Sequence, residues 1–178
     1  MILVPGCGNS DLAAKIITDL GVPNLKIDAI DYEENVVQKM EENKQIGLPV
    51  SYKHGDVTNM MSTRAGQYSA SIDKGTLDAI AVDDSEETVK KCRAYFNEMI
   101  RVIKNKDGVF MIVSLLQPYV LKIMLDFFIN QDGMSQHQKT NLFTIKVHRI
   151  NLSEGSIAEK QFLKYFVTIS KQFVDPLD

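Results

Sequence analysis

Two cysteines, Cys7 and Cys92, are all that this 178-residue chain contains. They are too few for a disulfide framework or a four-ligand zinc site, which points to a reducing compartment, the cytoplasm being the expected one. Positive charge is no more abundant: 20 Lys and Arg against 23 Asp and Glu leave a formal net charge of −3. A nucleic-acid binder would carry a basic face, so no nucleic-acid partner is expected. No apolar run is long enough for a bilayer. The longest in the C-terminal half, residues 108–116, falls well short of the roughly 20 residues a spanning helix needs, so no membrane association is expected. Linker-like stretches, internal repeats and low-complexity tracts are missing as well. Three scattered histidines, His54, His137 and His148, offer no metal-ligand pattern, and no metal is expected. What is present is an ordinary globular composition, 44% hydrophobic and 24% charged, on a length that suits one domain over residues 1–178.

Within it, residues 2–10 are the most informative stretch. Ile-Leu-Val-Pro-Gly-Cys-Gly-Asn-Ser runs as an apolar strand, breaks into two glycines and opens onto a helix. Gly6 and Gly8 let the backbone turn tightly and approach a ligand where a Cβ would collide. Ser10 stands at the predicted N-cap. Leu12, Ala13, Ile16, Ile17 and Leu20 form the apolar stripe, and Gly21 with Pro23 ends the helix. Such a junction presents free backbone N–H groups to a nucleotide-like ligand.

Beyond it strands and helices alternate, the pattern of a parallel sheet with helices on both faces. Strands are expected at 24–30, 50–54, 67–72 and 109–114. Helices are expected at 33–43, from Asp84 and Ser85 onward, and at 119–130 behind Pro118. Val36, Val37 and Met40 mark the buried side of the second helix, and Val89, Cys92, Phe96, Met99, Ile100 and Ile103 recur at helical spacing in the third. Residues 58–66 are polar and unpatterned, a loop or a short helix. Two last strands, 142–151 and 162–173, joined by a polar stretch at 152–160, suggest an antiparallel pair.

In open α/β sheets ligands bind outside the carboxyl ends of the strands. Four informative groups fall at those ends: Gly6-Cys7-Gly8, Asp31, Gly55-Asp56 and Asp73-Lys74-Gly75. Asp31 lies 23 residues beyond Gly8, near the spacing of about 20 for a carboxylate that accepts ribose hydroxyls. One strand-end carboxylate is as well explained as a cap on the next helix; four such groups together are not. A dinucleotide site would require glycine at position 11, where Asp11 stands, and that carboxylate would repel a pyrophosphate. A nucleoside ligand without phosphates fits, which points to S-adenosylmethionine.

Residues 2–10 and the segment Asp-Lys-Gly-Thr-Leu-Asp-Ala at 73–79 resemble signature segments of one enzyme family. It is the class I S-adenosylmethionine-dependent methyltransferases of the methyltransferase-like 13 group, with the elongation factor 1-alpha and citrate synthase lysine methyltransferases. The likeness extends to Ile30-Asp31 and the Glu-Asn-Val-Val helix behind it, to Asp56-Val57-Thr58, to residues 98–103 and to Val113-Ser114-Leu115. It covers residues 2–130 well and the terminal strands loosely. Residues 73–79 are its most diagnostic part, since generic class I enzymes do not share them.

The resemblance implies a doubly wound, Rossmann-like sheet of order 3-2-1-4-5-7-6, with strand seven antiparallel and helices on both faces. It implies S-adenosylmethionine as cofactor and S-adenosylhomocysteine as product. Gly6, Cys7 and Gly8 would form the turn beneath the methionine moiety, with Asn9 and Ser10 close by. Asp31 would accept the ribose hydroxyls and Tyr32 would pack beside the adenine. Asp56 would accept the adenine amino group while the Val57 N–H reads a ring nitrogen. Asp73, Lys74 and Gly75 would line the methionine end. The implied acceptor is a lysine ε-amine, or an N-terminal amine, of a protein such as elongation factor 1-alpha.

Methyl transfer is an in-line displacement, so the protein aligns nucleophile, methyl and sulfur and stabilises the developing ammonium charge. Asp73 and Asp78 are the catalytic candidates for that stabilisation; Asp83 and Asp84 read as capping carboxylates. Residues 73–76 are not the Asn/Asp-Pro-Pro-Tyr of amide and base amino-methyltransferases, which argues against bases and glutamine as acceptors. The place of Cys7 near a helix N-terminus would lower its thiol pKa, yet no general base stands beside it and it reads as a small residue that fits the turn. The alternatives are a small-molecule acceptor and a non-catalytic cofactor-binding module; the oligomeric state is left open. Family members carry several tens of residues ahead of the glycine turn, whereas this sequence starts at the strand, so a truncated chain or one without the family's N-terminal lid is expected.

Overall fold

Leu3 and Val4 are consecutive, apolar and both buried, which requires a strand covered on both faces. The computed structural model supplies both covers and describes residues 1–134, 142–150 and 164–172. In chain order the elements are β1 (Ile2–Pro5), α1 (Leu12–Leu20), β2 (Ile27–Asp31), α2 (Glu34–Glu42), β3 (Val50–His54) and β4 (Ala70–Lys74). They continue as α3 (Thr76–Ile80), α4 (Glu86–Val102), β5 (Val109–Ser114), α5 (Pro118–Phe128), β6 (Leu142–Ile150) and β7 (Lys164–Gln172). The strands form one sheet of order β3-β2-β1-β4-β5-β7-β6. β1 to β5 are parallel, and β7 runs antiparallel to both β5 and β6. The chain reverses direction across the sheet between β1 and β4, the switch point at which such sheets bind ligands.

Val4, Ala29 and Val50 face one apolar cluster with Ala13 of α1 and Val37 of α2. Leu3, Ile30 and Ile112 face the other, with Phe96 and Met99 of α4 and Phe127 of α5. Phe96 packs 5.1 Å, centroid to centroid, from both Phe127 and Phe128, the tilted geometry that aromatic quadrupoles favour. Asp28 is a charged residue buried among these apolar ones. Tyr68 Oη donates to it at 2.8 Å and Lys53 Nζ lies 2.8 Å away, so its burial is compensated.

Three local expectations are revised, and one that was left open is settled. α1 starts at Leu12, and Asp11 precedes it without capping through its side chain, although Ser10 Oγ accepts the Leu12 N–H at 3.3 Å. β4 begins at residue 70 rather than 67 because β1 pairs with it only at Ala70 and Ser71, and it runs to Lys74 because Lys74 pairs with Val113. Asp73 is therefore inside the strand. α3 is a short helix that the sequence pattern did not show. Residues 58–66, expected as a loop or a short helix, are a loop, which α4 holds from below: Glu98 Oε2 accepts the Met60 N–H at 2.7 Å, and Arg101 donates to the carbonyls of Met60 and Thr63 at 2.8 and 2.6 Å. The terminal antiparallel pair is present; the stretch 152–160 and His137 lie outside the described residues. No helix among the described residues is long and apolar enough to cross a membrane.

Candidate functional site at the carboxyl ends of the strands

Gly6 and Gly8 both adopt left-handed backbone, φ 55° and 53°. They need glycine for different reasons. A Cβ on Gly6 would stand 2.3 Å from Thr76 Oγ1, a side chain that donates to the Pro5 carbonyl at 2.7 Å and is itself buried. A Cβ on Gly8 would meet nothing within 4 Å. The space beside Gly8 is therefore open to a ligand, and the space beside Gly6 is filled by the protein. Asp31, at the end of β2, completes the turn: Oδ2 accepts the Gly8 N–H at 2.7 Å and Oδ1 accepts the Glu33 N–H at 3.0 Å. Each carboxylate oxygen keeps a lone pair for a diol. Asn9 is exposed and Ser10 half-buried on the outer side of the same turn.

Tyr32 follows Asp31 and is 70% exposed, its ring tilted 6.3 Å from that of His54, whose Nε2 lies 2.9 Å from the Tyr32 carbonyl. A flat apolar face is thus offered to solvent beside a strand end. Asp56, also exposed, spends Oδ1 on the N–H and hydroxyl of Thr58, at 2.8 and 2.7 Å, leaving Oδ2 uncommitted among the described residues. Val57 beside it is buried in the core and anchors the loop. The structure therefore brings the glycine turn, Asp31, Tyr32, Asp56 and Val57 to the carboxyl ends of β1, β2 and β3, as the sequence leads one to expect.

At β4 the expectation changes. Asp73 is 0% exposed. Its Oδ1 accepts the Thr76 N–H at 2.7 Å, and its Oδ2 accepts the Leu77 N–H at 2.9 Å and the Tyr95 hydroxyl at 2.8 Å. Both oxygens are engaged and sealed under α3, so neither is presented to a reacting amine or a cofactor, which is the placement of a positioning residue rather than of the catalytic carboxylate the sequence suggested. Asp78 is likewise engaged, accepting from Ser114 Oγ at 2.6 Å and from the Leu115 N–H at 3.1 Å. Lys74 is exposed and Gly75, φ 85°, starts α3; these two remain at the surface of the site.

Burial pushes the Asp73 carboxyl up to about 6, against the pull of the Tyr95 hydroxyl and the two α3 amides. On acidification the folded state therefore takes up this proton before the unfolded state does. The cost of the buried charge is in force above pH 6 and is relieved as pH falls from about 6 towards 4. Tyr95→Phe removes a donor that favours the ionised form, so it should raise this pKa further and cost roughly 1.5–3 kcal/mol, the range for hydrogen bonds to charge. Denaturant melts of both proteins between pH 4 and 8 check this. The loss should be largest near pH 8, shrink as pH falls towards 6, where the wild-type carboxyl takes up its proton, and be small below that; a pH-independent loss would count against it.

Cys7 departs from expectation. Burial and the neighbouring Asp31 carboxylate raise its thiol to about 11, so a helix N-terminus does not make it a nucleophile. Asp11 pairs with Lys15 at 2.9 Å, and that contact, helped by Lys74, holds its carboxyl below the ordinary range. A negative charge thus persists at the mouth of the turn. Among the described residues no cluster of His, Cys, Asp or Glu could hold a metal ion. Sequence reasoning missed Thr76 and Tyr95. Tyr95 was legible, three residues after Cys92 and four before Met99 on the buried face of α4.

A doubly wound sheet whose first βα turn faces ligand through glycine, with two strand-end carboxylates and a further carboxylate against phosphates, defines a nucleoside-cofactor site of the class I methyltransferase kind. The sequence matches the model of a methyltransferase domain over residues 2–166. It is 31% identical over 176 residues to the human eEF1A lysine and N-terminal methyltransferase, covering 97% of this chain and 23% of that protein. It is 38% identical over 127 residues to the Drosophila melanogaster homolog of that enzyme, covering 71% of this chain and 18% of the other. The chain thus spans less than a quarter of the length of these relatives. Magnesium protoporphyrin IX methyltransferase from Synechocystis PCC 6803, solved with bound SAM, has a TM-score of 0.59 at 13% identity, over 97% of this chain and 70% of that one, a likeness of fold. The chain belongs to the methyltransferase-domain family, of the class I S-adenosylmethionine-dependent type, and S-adenosylmethionine is its cofactor.

Proposed function

We propose that this domain methylates a protein amine, a lysine ε-amine or the N-terminal α-amine of elongation factor 1-alpha. The observation that carries the reading is the match of nearly the whole chain to relatives named for that reaction. The interlocked 73–79 segment at the switch point supports it. Bound S-adenosylmethionine supplies an electrophilic methyl on a sulfonium. Gly8 gives backbone access to it, Asp31 and Asp56 offer acceptors to ribose hydroxyls and an amino group, and Tyr32 offers a face to a purine. Lys74 and Gly75 border the opposite end. In this reading the protein's contribution is alignment and exclusion of water, with Asp73, Thr76 and Tyr95 holding the frame from beneath. The two cysteines are free and buried, which suits a reducing compartment, and the cytoplasm is the location we assign.

Incubation of the chain with methyl-labelled S-adenosylmethionine and purified elongation factor 1-alpha should label that protein. A lysine acceptor, with a reference pKa near 10.4, should give a rate rising about tenfold per pH unit from 7 to 9, whereas an α-amine, near 7.7–8.0, should level off above pH 8. Label appearing only in small products of a lysate would favour a small-molecule acceptor. Cofactor binding without transfer to any extract would favour a binding module.

A further inference from the structure

The exit from β5 is held more firmly than a surface turn requires. Ser114 Oγ donates to Asp78 Oδ1, the Leu115 N–H donates to Asp78 Oδ2, and the Leu116 N–H donates back to Ser114 Oγ at 2.8 Å. Leu116 itself sits at φ 49°, a left-handed conformation that a leucine adopts only when its surroundings impose it. Its side chain packs, half-buried, on the core beneath. The turn lies directly beside the cofactor site, because the Gly75 N–H donates to the Val113 carbonyl at 3.0 Å.

The sheet order gives this turn its place in the reaction. Asp31 on β2 marks the ribose end and the glycine turn of β1 the middle, so the methyl and its acceptor must meet at the opposite end, over β4 and β5. There Tyr119 Oη of α5 donates to the Val82 carbonyl at 3.3 Å, and Val82 is 65% exposed next to the exposed Asp83 and Asp84. Apolar surface bordered by carboxylates suits an aliphatic amine, and among the described residues Asp83 keeps an oxygen for it beyond the one that accepts the Ser85 N–H at 3.0 Å.

Resting on the reading that the acceptor is a protein amine, we propose that Asp78 is a positioning residue of the acceptor side. Its grip on Ser114 and Leu115 sets the β5–α5 turn, with Leu116 left-handed, as the wall that aligns the acceptor. This function needs two hydrogen-bonding atoms in that geometry, one towards Ser114 Oγ and one towards the Leu115 N–H, and does not need the charge. An asparagine can accept the Leu115 N–H through its carbonyl and donate through its amide to Ser114 Oγ, which has a lone pair left.

The test compares Asp78→Ala, Asp78→Asn and Ser114→Ala with the unaltered 178-residue chain, using labelled S-adenosylmethionine and purified elongation factor 1-alpha. Asp78→Ala and Ser114→Ala should raise the acceptor KM roughly tenfold or more, the scale of a misplaced alignment element, with a smaller change in kcat. Asp78→Asn should return KM to within about threefold, and S-adenosylhomocysteine affinity should stay within about twofold throughout. The amides of Leu115 and Leu116 should exchange hydrogen faster in both alanine variants and not in Asp78→Asn. A loss of kcat in Asp78→Asn as deep as in Asp78→Ala, with KM unmoved, would overturn the proposal by making the charge itself catalytic. A shift in S-adenosylhomocysteine affinity would overturn it by moving Asp78 into the cofactor site. Unaltered exchange in Asp78→Ala would overturn the grip. If the unaltered chain transfers no methyl to elongation factor 1-alpha, the acceptor reading fails on its own, and the exchange measurement still decides the positioning claim.

Discussion

Gly6→Ala is expected to abolish measurable S-adenosylhomocysteine binding and to lower folding stability by about 2–4 kcal/mol, from overpacking and left-handed strain together. The added Cβ would stand 2.3 Å from Thr76 Oγ1 and 2.7 Å from its Cγ2. Thr76 cannot yield, because it is 8% exposed and its hydroxyl is bonded to the Pro5 carbonyl. Any accommodation must therefore move the turn that carries Gly8. The double variant Gly6→Ala/Thr76→Ala should be less unstable than the sum of the singles, since only the contact with the remaining Cβ, near 3.0 Å, is left. Denaturant melts and calorimetry check both statements. Wild-type affinity in Gly6→Ala would remove the turn from the cofactor site.

Asp31→Ala should weaken cofactor binding by roughly 1.5–3 kcal/mol, about 10- to 150-fold in Kd, the range for hydrogen bonds to a charged group. Two effects act in the same direction. The ribose hydroxyls lose their acceptor, and the Gly8 and Glu33 N–H groups lose the oxygens that hold the turn and the start of α2 in register. Asp31→Asn separates them, because an asparagine keeps one acceptor for Gly8 and presents a donor towards Glu33. It should fall between the wild type and Asp31→Ala. An Asp31→Ala variant that binds S-adenosylhomocysteine normally would show that this carboxylate serves the fold alone.

Most of the fold was legible because its signals are local. Ser85 begins α4 by accepting the Thr88 N–H, and Cys92, Phe96 and Met99 recur with the helical period that buries them. Val50–His54 and Val109–Ser114 are strands with the boundaries the pattern predicts. The errors fall where partners distant in sequence decide. The start of β4 is set by pairing with β1, and the choice the sequence left open at 58–66 is closed by α4, through Glu98 and Arg101.

The same division runs through the site. The amino-acid sequence by itself determined the glycine turn and the strand-end carboxylates Asp31 and Asp56, because left-handed backbone and a spacing of one βαβ unit are properties of the chain over short distances. Only the tertiary structure decided what Asp73 and Asp78 do. On sequence they are two carboxylates at a strand exit, equally suited to meet an amine. Their partners, Tyr95 and Ser114, lie 22 and 36 residues away and reach them only when α4 and β5 pack beside β4. Burial then leaves no oxygen of Asp73 exposed, and the β5 turn engages both of those of Asp78, which is why we assign both to the frame that holds the site.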